Sequence, residues 1–245
     1  MDRDVPYTRR IIIIASAAAG MIGYIYLTPP ASQLNILEFL QIGRTLDSAL
    51  KEYIQRFAAA LVMLGALPIA TARFCGFKLR AIGFQFPRCR LPWMWFAAAI
   101  AGGFAIGLTG VFSSSLAEYY PYDAGLAERV TANGIWPFIV HSLAYFLCYY
   151  LPWELMFRGV LIFPLLEQSI EKTAVSGKNL FFASFQVIPS ALLHFGHPAT
   201  ETVGAVFFGF AAAWIVLKTR SIFPVLLIHA AAGISLDLFM VLGLG

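Results

Sequence analysis

Three charged residues, Glu154, Arg158 and Asp237, lie within or at the end of long apolar stretches of the sequence. A charge at the centre of a bilayer costs about 2.5–3.5 kcal/mol on insertion scales, so each needs a partner, a water-filled cavity or a function. Glu154 and Arg158 are four residues apart, which places both on one helix face and lets the guanidinium bind the carboxylate. Taken alone, this pair is most typical of a salt bridge that anchors a helix end at the membrane interface.

Polar side chains also follow one face of two other apolar stretches. Gln186, Ser190 and His194 are spaced four residues apart and form a polar stripe on an otherwise apolar helix. In the last stretch, His229 and Asp237 are eight residues apart and share a helix face. Lipid cannot satisfy such groups, so both faces are expected to point toward other helices or a cavity. Together with Glu154, they predict one shared site inside the protein.

A glutamate and two histidines in an apolar environment are suited to hydrolysis by an activated water molecule. A carboxylate in an apolar pocket has a raised pKa and can take a proton from water at neutral pH. Histidine or arginine can then stabilise the oxyanion that develops on a peptide carbonyl. The sequence has no HExxH zinc motif, no GxSxG serine motif and no GxGD aspartate motif. We therefore expect Glu154, His194, His229 and Arg158 to form the site, with no metal and no cofactor.

The composition requires that the elements carrying these residues be membrane helices. Hydrophobic residues make up 60% of the 245 residues and charged residues only 12%, with a mean hydropathy of +0.76, which excludes an ordinary soluble domain. The pattern predicts an all-α polytopic bundle of about seven spans, at 11–27, 54–72, 93–112, from 136 onward, 180–195, 203–217 and 222–244. Two amphipathic segments, 34–42 and 46–57, are predicted to lie in the membrane interface. Glu201 is expected in a short outer connection between two spans.

Basic residues predict the orientation of this bundle. With a cytoplasmic N-terminus, seven spans leave 13 of the 17 Lys and Arg residues on the inner side. The pI near 9.0 then reflects topology and anionic lipid headgroups, and gives no reason to expect a nucleic-acid partner. We expect residues 1–245 to form one membrane-embedded domain, with the N-terminal spans and interfacial helices at 1–135 and the motif-bearing part at 136–245.

Three short motifs resemble those of the CPBP family, the CAAX-protease and bacteriocin-processing membrane proteins also called Abi. The segment PWELMFRGVL at 152–161 resembles the family's EExxxR motif, SALLH at 190–194 resembles FxxxH, and HAAAG at 229–233 resembles HxxxN. The resemblance implies a glutamate-type intramembrane endopeptidase. In it, the motif-one glutamate and His194 would activate water, and the motif-three residues would help to form the oxyanion site.

The chain departs from the family pattern at the first glutamate of motif one, which is Trp153 here. Neighbouring helix positions point about 100° apart, so Glu154 can face the histidines only if the helix is rotated or kinked near Pro152. The predicted spans also place His194 toward the outer face and Glu154 nearer the inner face. A tilted fourth helix would bring the two together.

Several functional interpretations remain open at this point. The resemblance implies a bacterial inner-membrane protease that cleaves a peptide or single-span membrane protein, either a C-terminal sorting signal or a prenylated peptide. The alternative is a catalytically inactive CPBP-like scaffold or immunity-type binding protein. Transport is disfavoured because the sequence has no paired Gly/Pro-broken helices in matching halves. The sequence gives no oligomeric state.

Overall fold

The computed structural model describes residues 7–28, 48–88, 92–166 and 175–244, and these residues form helices without strands. Ten helices are described below. They are α1 (Tyr7–Leu27), α2 (Ser48–Phe74), α3 (Pro92–Gly110), α4 (Ser114–Tyr119), α5 (Leu126–Asn133), α6 (Trp136–Leu165), α7 (Gly177–Ser184), α8 (Val187–Leu192), α9 (Ala199–Thr219) and α10 (Phe223–Val241).

Six of these helices, α1, α2, α3, α6, α9 and α10, are long and apolar enough to cross a membrane. This confirms the predicted all-α polytopic bundle. The predicted fifth span, 180–195, is the exception because it is divided between the two short helices α7 and α8. The C-terminal part of this predicted span, from α8 onward, contains His194, which is buried.

The N-terminal half differs from the prediction at one interfacial segment. Residues 46–57 were predicted to lie in the interface, but residues 48–57 begin the continuous 27-residue helix α2. The helix continues because Gln55 and Phe57 are buried and the Gln55 Nε2 donates to the Leu27 carbonyl at 2.8 Å. The other interfacial segment, 34–42, lies outside the described residues.

Close packing joins the N-terminal spans to the motif-bearing part of the chain. Helix α3 lies along α10, and Gly103 and Gly107 form the contact, since a Cβ at either position would overlap the α10 backbone. Small residues at such positions allow two helix backbones to approach closely. An aromatic cluster from α1, α2, α6 and the loop before α5 fills the bundle beside this contact; it comprises Tyr24, Phe57, Tyr122, Tyr145, Tyr149 and Tyr150.

Helix α6 is irregular where it carries the first motif. Two π-helical segments, Phe146–Tyr150 and Leu155–Val160, lie on either side of a single α turn at Leu151–Glu154. Pro152 lacks the N–H that a regular helix would use, and widened turns of this kind rotate the side chains that follow them. The helix is therefore irregular on both sides of the turn that contains Pro152 and Glu154.

Candidate active site

A small polar cavity of about 20 Å³, enough for about one water molecule, lies inside the bundle. Its walls come from the loop after α4, from the middle of α6, from the segment between α8 and α9, and from α10. The lining residues are Tyr120, Tyr122, Tyr145, Tyr149, Tyr150, Trp153, His194, His197, Glu201 and His229. The histidines of motifs two and three thus face the same space, although they are 35 positions apart in the sequence.

The motif-one carboxylate lies directly behind this cavity. Glu154 is fully buried, and its Oε1 accepts a hydrogen bond from His229 Nδ1 at 2.7 Å. Its Oε2 is 3.3 Å from Arg158 Nε, in an ion pair without hydrogen-bond alignment. The Arg158 guanidinium also lies 5.4 Å from the Phe208 ring and is 1% exposed. Glu154 therefore contacts the cavity through His229.

Trp153 occupies the cavity wall in place of the family's first glutamate. Its ring meets the His194 ring edge to face at 5.3 Å and the His229 ring at 6.3 Å. The indole Nε1 is buried and makes no hydrogen bond within the described part of the chain. Because indole is a donor only, Trp153 cannot accept a hydrogen bond or a proton as a glutamate at this position would.

His194 is held at the cavity in one defined tautomer. Its Nδ1 donates to the Ser190 carbonyl at 2.8 Å, so the neutral ring keeps its lone pair on Nε2. Thr202 Oγ1 donates to the His194 carbonyl at 3.0 Å and fixes the backbone. The Ser190 hydroxyl, at the position of the family's aromatic residue, lies 3.5 Å from Arg158 Nη1. The predicted difference in depth between His194 and Glu154 is closed by the folding of this segment.

Glu201 and His197 are two cavity residues that the sequence analysis did not assign to the site. Glu201 was expected in an outer connection, but it lies in the first turn of α9 with its side chain 20% exposed. His197 Nδ1 donates to Glu201 Oε1 at 2.9 Å, and His194 Nε2 is 4.0 Å from the same oxygen. Gly196, at φ +96°, makes the turn that brings the two histidine rings to 5.5 Å.

A sequence signal for Glu201 exists. It is the third residue after Pro198, and acidic residues are enriched in the first turn of helices, where they interact favourably with the helix dipole. A helix start at 199 would have placed Glu201 one turn from His197 and His194. The predicted start at residue 203 hid this relationship.

The third motif also departs from the family pattern in a way that the structure explains. The family asparagine is Gly233 here, and a Cβ at this position would overlap the Tyr150 hydroxyl. The phenol of Tyr150 therefore fills the space of the missing side chain and supplies a polar group to the cavity.

Tyr120 is a second phenol at the cavity. Desolvation and the nearby Glu201 carboxylate raise the pKa of Tyr120 well above its ordinary value, so the Tyr120 phenol stays protonated and can donate.

Asp237, which shares a helix face with His229, does not line the cavity. Its Oδ2 accepts from His141 Nε2 at 2.7 Å, and its Oδ1 accepts from the Tyr122 backbone N–H at 2.7 Å. The second nitrogen of His141 is bonded to the Tyr53 hydroxyl at 2.9 Å. The group therefore joins α2, α6, α10 and the loop after α4.

Comparison with known proteins identifies the part of the chain that contains this cavity. Within the described residues, no group of three or more His, Cys, Asp or Glu is arranged to hold a metal ion. No curated protein and no solved structure matches the chain. The family model described as "Type II CAAX prenyl endopeptidase Rce1-like" matches residues 134–234, which is less than half of the chain but includes all three motifs. Residues 134–234, which carry the three motifs and the cavity, are thus similar to the CPBP family of CAAX-type intramembrane proteases.

Proposed function

We propose that the protein is an intramembrane endopeptidase that hydrolyses a peptide bond in the cavity with a glutamate-activated water. The observation that carries the proposal is the convergence of His194 and His229 on one polar cavity, with Glu154 bonded to His229 at 2.7 Å. A single buried histidine is common in protein interiors. Two histidines from separate motifs in one cavity, backed by a carboxylate, have the composition of a hydrolytic site.

The ring nitrogens support distinct roles for the two histidines. His194 has a free Nε2 lone pair, which suits it to hold the attacking water. His229 uses Nδ1 on Glu154, and when this ring carries a second proton during the reaction, its Nε2–H can donate to the oxyanion. Glu154 then acts as a positioning residue for His229, and Arg158 holds the other oxygen of that carboxylate. Direct activation of water by Glu154 stays a prediction.

The positions of the basic residues support an extracytoplasmic opening of the cavity. The last turn of α2 and the loop that follows it contain Arg73, Lys78 and Arg80. The loop contacts the end of α9, where the Arg88 N–H donates to the Thr219 carbonyl at 2.8 Å. The cavity lies at the opposite end of α9, beside Glu201. Basic connections are enriched on the cytoplasmic side of bacterial membrane proteins. We therefore propose a cytoplasmic N-terminus and cleavage near the outer face.

This orientation favours one of the two substrate classes. A sorting signal has a single apolar helix and a basic tail, so its cleaved junction would reach the outer face. A prenylated C-terminus would remain on the cytoplasmic side. The proposed substrate is therefore a single-span membrane protein that is cut at the outer end of its span.

The test is cleavage of two internally quenched probes by the purified full chain in detergent. One probe is a single-span peptide with a basic tail, and the other is a farnesylated peptide ending in a CaaX sequence. We expect the wild type to cleave the first probe, and His194→Ala to lower kcat at least 100-fold while the protein remains folded. Failure of the wild type to cleave either probe would contradict the proposed function.

A second candidate is a scaffold that has kept the fold without the chemistry. The specific observation in its favour is Trp153, which replaces a carboxylate with an aromatic wall between the two cavity histidines. A scaffold would bind the single-span probe without cleaving it. Binding with no turnover over the whole pH range in which the protein is folded would select this candidate.

A further inference from the structure

We propose that Glu201 is the catalytic general base, the carboxylate that takes the proton from the attacking water. This inference rests on the proposed hydrolytic function and assigns to a new position the role that the family gives to its first motif-one glutamate. The replacement of that glutamate by Trp153 removes a base from the cavity wall, because an indole ring has no acceptor. Among the described residues that line the cavity, Glu201 supplies the single carboxylate.

The surroundings of Glu201 differ from those of Glu154 in a way that favours this assignment. Glu154 is 0% exposed, forms an ion pair with Arg158 and accepts a hydrogen bond from His229. Glu201 keeps 20% of its side chain exposed at the cavity, and its Oε2 makes no hydrogen bond within the described residues. Oε1, which His197 holds, is thus the oxygen that lies toward His194 at the cavity, while Oε2 is buried behind it.

The neighbours of Glu201 provide the other groups that the step requires. His194 Nε2 lies 4.0 Å from Glu201 Oε1, so one water molecule can contact both the imidazole and the carboxylate. The position of Glu201 in the first turn of α9 places its negative charge at the positive end of the helix dipole. Tyr120, whose phenol stays protonated, is a donor on the same cavity wall.

The step balances with these residues alone. Glu201 removes a proton from water as the water oxygen bonds to the scissile carbonyl carbon, and the carbonyl electrons move to oxygen. His229 and the Tyr120 hydroxyl donate to this oxyanion. When the carbon–nitrogen bond breaks, protonated Glu201 returns its proton to the leaving amine, which leaves a carboxylic acid and an amine. No oxidant, reductant or further reactant is required.

The experiment compares Glu201→Gln with a matched control in the single-span probe assay. Glu128 is also the third residue of its helix, α5, and it is exposed, so Glu128→Gln removes the same charge from the same helix position away from the cavity. We expect Glu201→Gln to lower kcat about 100- to 10,000-fold with little change in KM, and Glu128→Gln to retain the wild-type rate. A wild-type rate in Glu201→Gln would overturn the assignment and leave the proposed hydrolysis intact. If the wild type cleaves neither probe, both the assignment of Glu201 and the proposed hydrolysis are contradicted.

Two further variants separate a base from a structural carboxylate. Glu201→Asp keeps the charge on a shorter side chain, so its kcat should fall between those of wild type and Glu201→Gln. It also tests the assignment if the Gln variant does not fold, since an unchanged kcat in Glu201→Asp would overturn it. Trp153→Glu added to Glu201→Gln restores a carboxylate to the family position and should raise kcat at least 10-fold over Glu201→Gln.

The same residues could instead be metal ligands, and a metal measurement tests this. We expect chelator to leave cleavage unchanged. Stoichiometric bound zinc, together with cleavage that is lost in 1,10-phenanthroline and restored by zinc, would overturn the assignment. His194, His197 and Glu201 would then hold an ion instead of activating water directly.

Discussion

Two histidine–carboxylate pairs in this protein have the same nitrogen–oxygen distance but different surroundings. His141 and Asp237 are joined at 2.7 Å, and so are His229 and Glu154. Both ring nitrogens of His141 are bonded, one to Asp237 and the other to Tyr53, and the ring is 2% exposed. The His229 side chain is 20% exposed at the cavity, with Nδ1 on Glu154 and Nε2 left for a ligand.

The comparison shows that the pair itself does not define a site. His141 and Asp237 form a closed pair, which satisfies buried polar groups and joins helices. His229 and Glu154 form an open pair, which can exchange a proton or a hydrogen bond with a substrate. We therefore expect changes in the closed pair to alter stability and changes in the open pair to alter the rate of cleavage.

The largest expected effect is on stability, from Asp237→Ala. This change leaves the buried His141 ring and the Tyr122 N–H without their acceptor. Breaking a buried pair by removing one partner costs about 3–5 kcal/mol. The free energy of unfolding, measured by SDS titration in mixed micelles, should fall by about that amount. The rate of cleavage per folded molecule should remain close to that of the wild type.

The exposed Glu128→Ala is the control, with an expected change within about 0.5 kcal/mol. An unchanged unfolding free energy in Asp237→Ala would mean that the closed pair has no structural role.

Glu154→Gln should have the next largest effect, a fall of about 100-fold in kcat, which corresponds to about 2.7 kcal/mol. The amide still accepts the hydrogen bond from His229 but no longer places a negative charge beside its ring. The rate is measured per folded molecule, because the change also leaves the buried Arg158 without its counter-charge.

Adding Arg158→Met to Glu154→Gln separates these two effects. The double variant removes the unpaired buried charge, so it should regain stability without regaining activity. Recovery of cleavage in the double variant would show that Glu154 acts only by neutralising Arg158.

Tyr53→Phe should have the smallest effect. It removes the hydrogen bond to His141 Nδ1 and leaves the aromatic contact with Phe57, whose ring centroid is 4.2 Å away. The unfolding free energy should fall by about 0.5–1.5 kcal/mol with no change in kcat. A change in kcat larger than threefold would show that the closed pair communicates with the cavity.

Much of the fold could be predicted from the sequence because membrane helices have a strong composition signal. Six predicted spans correspond to long helices, and the inward polar stripe of Gln186, Ser190 and His194 is buried as expected. The break between α7 and α8 was missed although Pro189 marks it, because a proline cannot donate to the carbonyl four residues before it, at Phe185, where α7 ends. The interfacial helix at 46–57 was a wrong prediction because Gln55 finds a backbone partner inside the bundle.

The site was predicted only in part. The motif spacing identified His194 and His229, and the structure brings both to one cavity. Glu201 was missed because its approach to His194 depends on the turn at Gly196, which no periodicity marks. The role of Tyr150 was also hidden, because it fills the space above Gly233 from a different helix.

The most direct test measures kcat and the unfolding midpoint for His229→Gln and His141→Gln side by side, with the single-span probe. An open functional pair and a closed structural pair predict opposite results. His229→Gln should lose at least 100-fold in kcat with its unfolding midpoint preserved, and His141→Gln should lose stability while its folded fraction cleaves at the wild-type rate. Equal loss of kcat in both variants, or a wild-type kcat in His229→Gln, would contradict the account.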